Sequence, residues 1–324
     1  MNESIGRLKN KVSFARFYSK FGVFIILAVC IMVASLLSPE FLTSRNLLNV
    51  IRQNSIVGIV AFGMQLVIIA GDIDLSPGSN VAFSGCIAAY VMLWTGSLIL
   101  SVMAAMISGA AIGFINGFIV TRCAIPAFIM TMAMQLGIRG AAYLLTGATP
   151  VSGMDTKFSV LGQGSIGPIP TPIILLAAVF VLTWILLYKT RYGRYLYAVG
   201  VNKDAAKSSG INVNWIRNKA FIYMGFLAGF AGVILMSRLM SGQPSSGEQL
   251  EFESITAVVI GGTSMSGGAG NVWGTLAGAL FVGVIINIMT LTNVNAYWQQ
   301  IVRGAIIAIA VIIDVAVRKG EKTL

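Results

Sequence analysis

Along almost the whole chain, long apolar stretches alternate with short polar or glycine-rich breaks. A helix needs about 20 apolar residues to cross a bilayer core, and ten stretches approach that length. The predicted spans run Phe21 to Ser38, Ser55 to Ala70, Gly78 to Trp94, Ser97 to Thr121, Ile125 to Leu145, Thr171 to Tyr188, Lys219 to Met240, Ser254 to Gly267, Asn271 to Leu291 and Trp298 to Val317. The expected fold class is an all-α polytopic membrane protein with about ten transmembrane helices. Two spans are short and interrupted by glycine. The second stops at Gly71-Asp72-Ile73-Asp74-Leu75-Ser76-Pro77-Gly78-Ser79, the eighth at Gly261-Gly262-Thr263-Ser264-Met265-Ser266-Gly267-Gly268.

Faint self-similarity links the two halves. Gln135-x3-Arg139-Gly140-Ala141 in span five recurs as Gln299-x3-Arg303-Gly304-Ala305 in span ten. Gly113-x2-Asn116 in span four is echoed by Gly283-x3-Asn287 in span nine. The register matches spans 2 to 5 with spans 7 to 10. An odd number of spans separates the copies, so the repeat is inverted across the membrane, an arrangement that many transporters share. Paired broken helices in such a repeat point to a translocation pathway.

Composition agrees with the span pattern: 56% of the 324 residues are hydrophobic, 10% are charged, and mean hydropathy is +0.85. Twenty-two Lys and Arg against 11 Asp and Glu give a net charge of +11. With the amino terminus cytoplasmic, 16 of the cations fall inside, including Arg122, Lys189, Arg191, Arg194, Lys203, Lys207, Arg217 and Lys219. Only Arg45, Arg52, Lys157 and Arg238 fall outside, so the positive-inside rule predicts both termini cytoplasmic. The excess charge is topological anchoring rather than a nucleic-acid surface. The organisation expected is a basic cytoplasmic tail over 1–20, a transmembrane domain over 21–317 with a cytoplasmic loop over 189–218, and a tail over 318–324. The first span reads as a retained anchor rather than a cleaved signal.

Histidine is absent, which removes imidazole triads, His metal sites and imidazole proton shuttles. Cys30, Cys86 and Cys123 lie in or beside apolar stretches without C-x-x-C spacing, so they read as packing residues. No catalytic or metal-ligating residue is assigned. No G-x-x-x-x-G-K-[ST] phosphate loop occurs, so any ATP hydrolysis has to come from another chain.

The remaining candidates are the membrane-depth polar groups. Asp72 and Asp74 are costly charges at or near membrane depth. Asp74 or Ser76 can cap the third span, with Pro77 and Gly78 setting the break, and the same segment can serve as part of a gate. Gln65, Asn80, Asn116, Gln135 and Asn287 are neutral amides that either hold helices together or meet hydroxyls of a passing solute. Arg139 and Arg303 need carboxylate or carbonyl partners, and Asp72 and Asp74 are the nearest acids in sequence to Arg139. The gate or pathway set is thus Asp72, Asp74, Ser76, Pro77, Gly78, Asn80, Gly261 and Gly262. In the loop after Lys189, Asn202-Lys203-Asp204-Ala205-Ala206-Lys207-Ser208-Ser209-Gly210 specifies a helix of about two turns. Asn202 caps it, Asp204 stands in its first turn, and Gly210 ends it. So short a helix needs a surface to pack on.

Four ordered motifs resemble the permease subunits of bacterial ABC importers for monosaccharides, of the ribose type, over about Leu37 to Asp314. They are G-D-I-D-L-S-P-G-S at Gly71 to Ser79, G-R-Y-L-Y-A-V-G at Gly193 to Gly200, D-A-A-x3-G-I at Asp204 to Ile211, and A-V-V-I-G-G-T-S-M-S-G-G at Ala257 to Gly268. Pro77 stands where many members have an aliphatic residue, and Asp204 where Glu is frequent. The resemblance implies the membrane pathway of an ATP-driven monosaccharide importer in the bacterial inner membrane. Its implied partners are a second permease chain as a homodimer, an ABC ATPase holding ATP and Mg, and a periplasmic or lipid-anchored sugar-binding protein. It makes Asn202, Asp204, Ala205, Ala206 and Gly210 the contact with the ATPase, and the outside loops the dock for the binding protein. Arg45, Arg52, Arg238, Glu248, Glu251 and Glu253 are the charged candidates for that dock. The alternative from another class is a self-sufficient secondary transporter or channel, for which only Asp72 and Asp74 offer coupling carboxylates.

Overall fold

The computed structural model describes residues 22–322, with side chains described as far as Ile312. The predicted tail residues 1–20 and 323–324 lie outside the described residues. Twelve α-helices carry most of the described chain: α1 (Gly22–Leu37), α2 (Ser44–Ile69), α3 (Pro77–Thr95), α4 (Leu98–Arg122), α5 (Ala127–Thr146), α6 (Thr171–Lys189), α7 (Arg191–Val201), α8 (Lys203–Ser208), α9 (Val213–Leu239), α10 (Leu250–Ile260), α11 (Val272–Leu291) and α12 (Ala296–Lys322). Six of them, α2, α4, α5, α6, α9 and α11, are long and apolar enough to cross a membrane by length and composition.

Most predicted spans match a helix within a few residues. The helix over span two starts at Ser44, eleven residues before the apolar run. Thr43 caps it by accepting from the Asn46 N–H at 3.3 Å. Its polar first turns then find distant partners: Asn46 and Asn287 exchange amide hydrogen bonds of 3.0 and 2.9 Å, and Arg52 donates to the Gly162 carbonyl. Helix α10 covers only Leu250–Ile260, and residues 261–271 form the glycine-rich connection to α11. The stretch over 189–218, expected as a cytoplasmic loop, contains the predicted short helix and a second, unpredicted one, α7, which buries Gly193, Leu196 and Val199 on one side.

Helix α9 sits at the centre, packed on α2, α3 and α4. Its contact with α4 is backbone-close: Gly109 and Gly113 of α4 face Gly225, Gly229 and Phe221 of α9, with no room for a β-carbon at either glycine. Small residues at such seams let helices approach where lipid supplies no hydrophobic drive between them. Helix α2 packs in turn on α6, α10 and α11, α3 packs on α4 and α5, and α10 packs on α11 and α12. Between α5 and α6, the second strand of a two-stranded hairpin, Ser165–Ile166 with Ile169–Pro170, packs on α2 and α6, and a short 3-10 turn (Thr156–Leu161) folds onto the end of α9. There the Gly162 N–H donates to Ser237 Oγ, the Gln163 amide donates to the Arg238 carbonyl, and Val151 bridges to Gly242.

Candidate functional site

Helix α2 ends in a motif that ties three of the sequence motifs together. The Gly71 and Asp72 N–H groups donate to the carbonyls of Ile68 and Val67, with Gly71 at φ +78°, a conformation that branched residues resist. The remaining end carbonyl of Ile69 accepts from the Gly268 N–H at 2.9 Å, so the second glycine-rich break closes the helix that the first one ends. Gly200 at the end of α7 is pressed against Ile69 and Gly268. The Tyr197 hydroxyl donates 2.9 Å to the Gly270 carbonyl.

Asp72 is the electrostatic centre of this junction. Arg217, in the first turns of α9, donates through Nε and Nη2 to its two carboxylate oxygens, both at 2.7 Å. Lys203, the first residue of α8, lies 3.7 Å away. The Asp72 side chain is 5% exposed and that of Arg217 14%, so this is a planar two-pronged pair largely out of water. One carboxylate therefore touches the α2 break, the short helix α8 and the start of α9. Sequence reasoning overlooked Arg217 and Lys203 here. A buried acid demands a cation, but nothing local says that the cation lies 145 residues away.

Helix α8 forms as its residues dictate. Asn202 Oδ1 accepts from the Asp204 and Ala205 N–H groups, both at 2.9 Å. At its other end the Gly210 N–H donates to the Lys207 carbonyl and the Ile211 N–H to the Ala206 carbonyl, with Gly210 at φ +80°. Asp204, Ala205, Lys207 and Ser208 are exposed. Ala206 is 4% exposed and packs into the chain's own core, which corrects the expectation that both alanines face a partner.

Within the first break, Asp74 Oδ1 accepts from both the N–H and the hydroxyl of Ser76, at 2.8 and 2.7 Å. Asn116 donates 2.9 Å to Ser76 Oγ, and the Leu75 N–H donates to Thr131. Pro77 starts α3, and Asn80 donates 3.2 Å to the Gly109 carbonyl while accepting from Ser84. The amides Asn80 and Asn116 therefore link helices here. Gly78 lies directly against the Gly247 carbonyl and the Glu251 carboxylate, so the starts of α3 and α10 abut.

The segment that leads into α10 is held from two sides. Arg139 of α5 donates to the carbonyls of Pro244 and Ser246 at 2.6 and 2.7 Å, and Gln135 donates 2.8 Å to Glu251. Arg303 of α12 pairs with Glu253 at 2.6 Å. Arg139 thus has carbonyl partners and no contact with Asp72 or Asp74, the acids nearest it in sequence. Of the six charged candidates for an outside dock, Arg45 and Glu248 are exposed and Arg238 is half-buried. Glu251 is 2% exposed, and Arg52 and Glu253 already have partners within the chain. At the second break Gly261 packs against the backbone of Gly274, and Gly262 has φ +85°.

The sequence of the chain is similar to those of transport permeases. The family described as branched-chain amino acid transport system / permease component matches residues 46–311. The ribose import permease protein RbsC of Escherichia coli (strain K12) is 42% identical over 294 residues, covering 90% of this chain and 92% of the relative. Its Bacillus subtilis (strain 168) counterpart is 39% identical over 314 residues, covering 96% and 98%. The L-arabinose transport system permease protein AraH of Escherichia coli (strain K12) is 35% identical over 319 residues, covering 98% and 97%. No solved structure matches the chain.

Proposed function

We infer the function from one premise: the chain belongs to the branched-chain amino acid transport system / permease component family. It is the membrane permease subunit of an ATP-driven importer and forms the pathway for a monosaccharide delivered by an external binding protein. The carrying observation is the match of nearly the full chain to ribose and arabinose permeases, at 42% and 35% identity. ATP and Mg belong to a partner ATPase, and a second copy of the chain completes the membrane unit in the bacterial inner membrane.

The helix pairings support an inverted repeat. If α2, α3, α4 and α5 correspond to α9, α10, α11 and α12, the packed pairs exchange: α3 with α4 becomes α10 with α11, α2 with α11 becomes α9 with α4, α2 with α10 becomes α9 with α3, and α3 with α5 becomes α10 with α12. All eight pairs pack. Arg139 and Arg303 stand on equivalent helices under the same exchange, but their partners are not exchanged: Arg139 holds the segment before α10 and Arg303 holds Glu253 in the first turn of α10. In this reading the chain crosses the membrane ten times with both termini cytoplasmic, α7 and α8 lie on the cytoplasmic side, and the abutting starts of α3 and α10 form the gate.

The exposed face of α8, Asp204 with Ala205 and Lys207, is the contact with the ATPase. Lys203 and Arg217 connect that contact through Asp72 to the break between α2 and α3. Of the six candidates for the outer dock, Arg45 and Glu248 are the exposed ones, free to meet the binding protein. Rim pairs of this kind are each worth about 1 kcal/mol or less.

The test is reconstitution in vesicles. Uptake of ribose or arabinose is expected only when the chain is combined with its ATPase, its binding protein and ATP. Uptake by the chain alone, driven by a proton or sodium gradient, overturns the reading in favour of a secondary transporter.

A further inference from the structure

A cavity of about 520 Å³ opens beside α8, between the first turns of α7 and of α9. Its wall carries Arg191, Tyr192, Tyr195, Asn212, Trp215 and Lys219. Two lining residues are cations and none is a carboxylate. Lys219 Nζ stands 5.1 Å from the Trp215 ring centre and 5.9 Å from that of Tyr192. Arg191, Tyr195, Trp215 and Lys219 are exposed, and among the described residues neither cation has a carboxylate partner. The cavity begins two residues past Lys189, the last residue of the apolar helix α6, whose own end carries Trp184 and Tyr188 with Lys189 5.1 Å from the Trp184 ring centre. Aromatic rings beside lysines and arginines at the ends of apolar spans mark the membrane–water boundary.

We propose that this cavity is a binding site for the headgroup of an anionic phospholipid of the cytoplasmic leaflet. The phosphate sits between the Arg191 guanidinium and the Lys219 ammonium, while Tyr195 and Trp215 lie along the glycerol and the upper acyl chain. Basic pockets at the cytoplasmic ends of spans recognise lipid headgroups by this chemistry. The lining also includes Ser209, Gly210 and Ile211, in the turn that joins α8 to α9, so a bound lipid touches that connection.

The test is lipid retention by the full chain, purified in detergent and offered phosphatidylglycerol or phosphatidylcholine with identical acyl chains, read by native mass spectrometry. Wild type is expected to retain phosphatidylglycerol over phosphatidylcholine. Arg191→Gln with Lys219→Gln should cut that preference by about 25-fold, roughly fivefold per cation. The charge-conserving pair Arg191→Lys with Lys219→Arg should keep it, which separates loss of the site from loss of the fold. Lys157→Gln, in the loop on the other side, should leave it unchanged. Equal retention of the two lipids by wild type overturns the proposal. So does a preference that the double glutamine variant leaves intact.

Discussion

At the residue scale, Asp72 and Asp74 stand two positions apart and do different work. Asp74 accepts from the N–H and hydroxyl of Ser76, a task that needs an oxygen and not a charge. Asp74→Asn keeps that oxygen and is expected to retain most transport, whereas Asp74→Ala strands a buried N–H at a cost of about 1–3 kcal/mol. Asp72 holds both prongs of the Arg217 guanidinium, so Asp72→Asn leaves a largely buried cation without its counter-charge. Breaking such a pair costs about 3–5 kcal/mol. Thermal unfolding in detergent should therefore separate the two asparagine variants, with Asp74→Asn near wild type and Asp72→Asn clearly lower. Asp74 holds the turn before α3 and does not cap the helix, whose N-cap Ser76 has no side-chain capping bond; equal melting temperatures for the two variants would remove the distinction between neutral acceptor and ion pair. The sequence marked both aspartates as costly charges; only the fold shows which one is paid for by a cation.

Helix α8 illustrates the element scale. Its start, its end and its length follow from Asn202, Gly210 and the six residues that separate Asn202 from Ser209, and the predicted and observed helices differ by a single residue. The direction it faces does not follow from them. Ala205 and Ala206 are chemically identical, but the first is exposed and the second sits in the core. Ala205→Arg should fold normally and lose the sugar-stimulated part of ATPase activity in the reconstituted complex. Ala206→Arg should instead lower the yield of folded chain, because overpacking of a filled core costs about 1–3 kcal/mol before the charge is counted. A full ATPase response from Ala205→Arg would take α8 out of the coupling path. Helix α7, absent from the sequence reading, has an equally simple explanation: its arginines and tyrosines look like loop until Gly193, Leu196 and Val199 are found buried on one side.

For the whole molecule, the segment 244–253 is held by one arginine from each half. Arg139 reaches it from α5 and Arg303 from α12, one through carbonyls and the other through Glu253. Neutralising either arginine should loosen this segment more than the rest of the protein. A cysteine placed at Ser246 and probed with a water-soluble thiol reagent is expected to react several-fold faster in Arg139→Gln than in the wild-type background. Arg303→Gln should give a smaller increase, because Arg139 still grips the carbonyl beside the probe. Unchanged reactivity in both would mean that the packing of α3 against α10, and not the arginines, holds the segment.

The amino-acid sequence determined the apolar spans, the bias of positive charge, the glycine breaks and the caps of α8, because each depends on residues within about one helical turn to one span length of each other. It also carried the family, through four motifs whose order needs no contact to be read. The tertiary structure alone decided that Asp72 pairs with Arg217 and not Arg139, that Ala206 is covered, that α2 extends to Ser44, and that Glu251 and Glu253 point inward. Each of those outcomes depends on which distant segment lies alongside. In a membrane interior every charge and backbone group must find such a neighbour, and the choice among neighbours is made by helix packing rather than by local sequence.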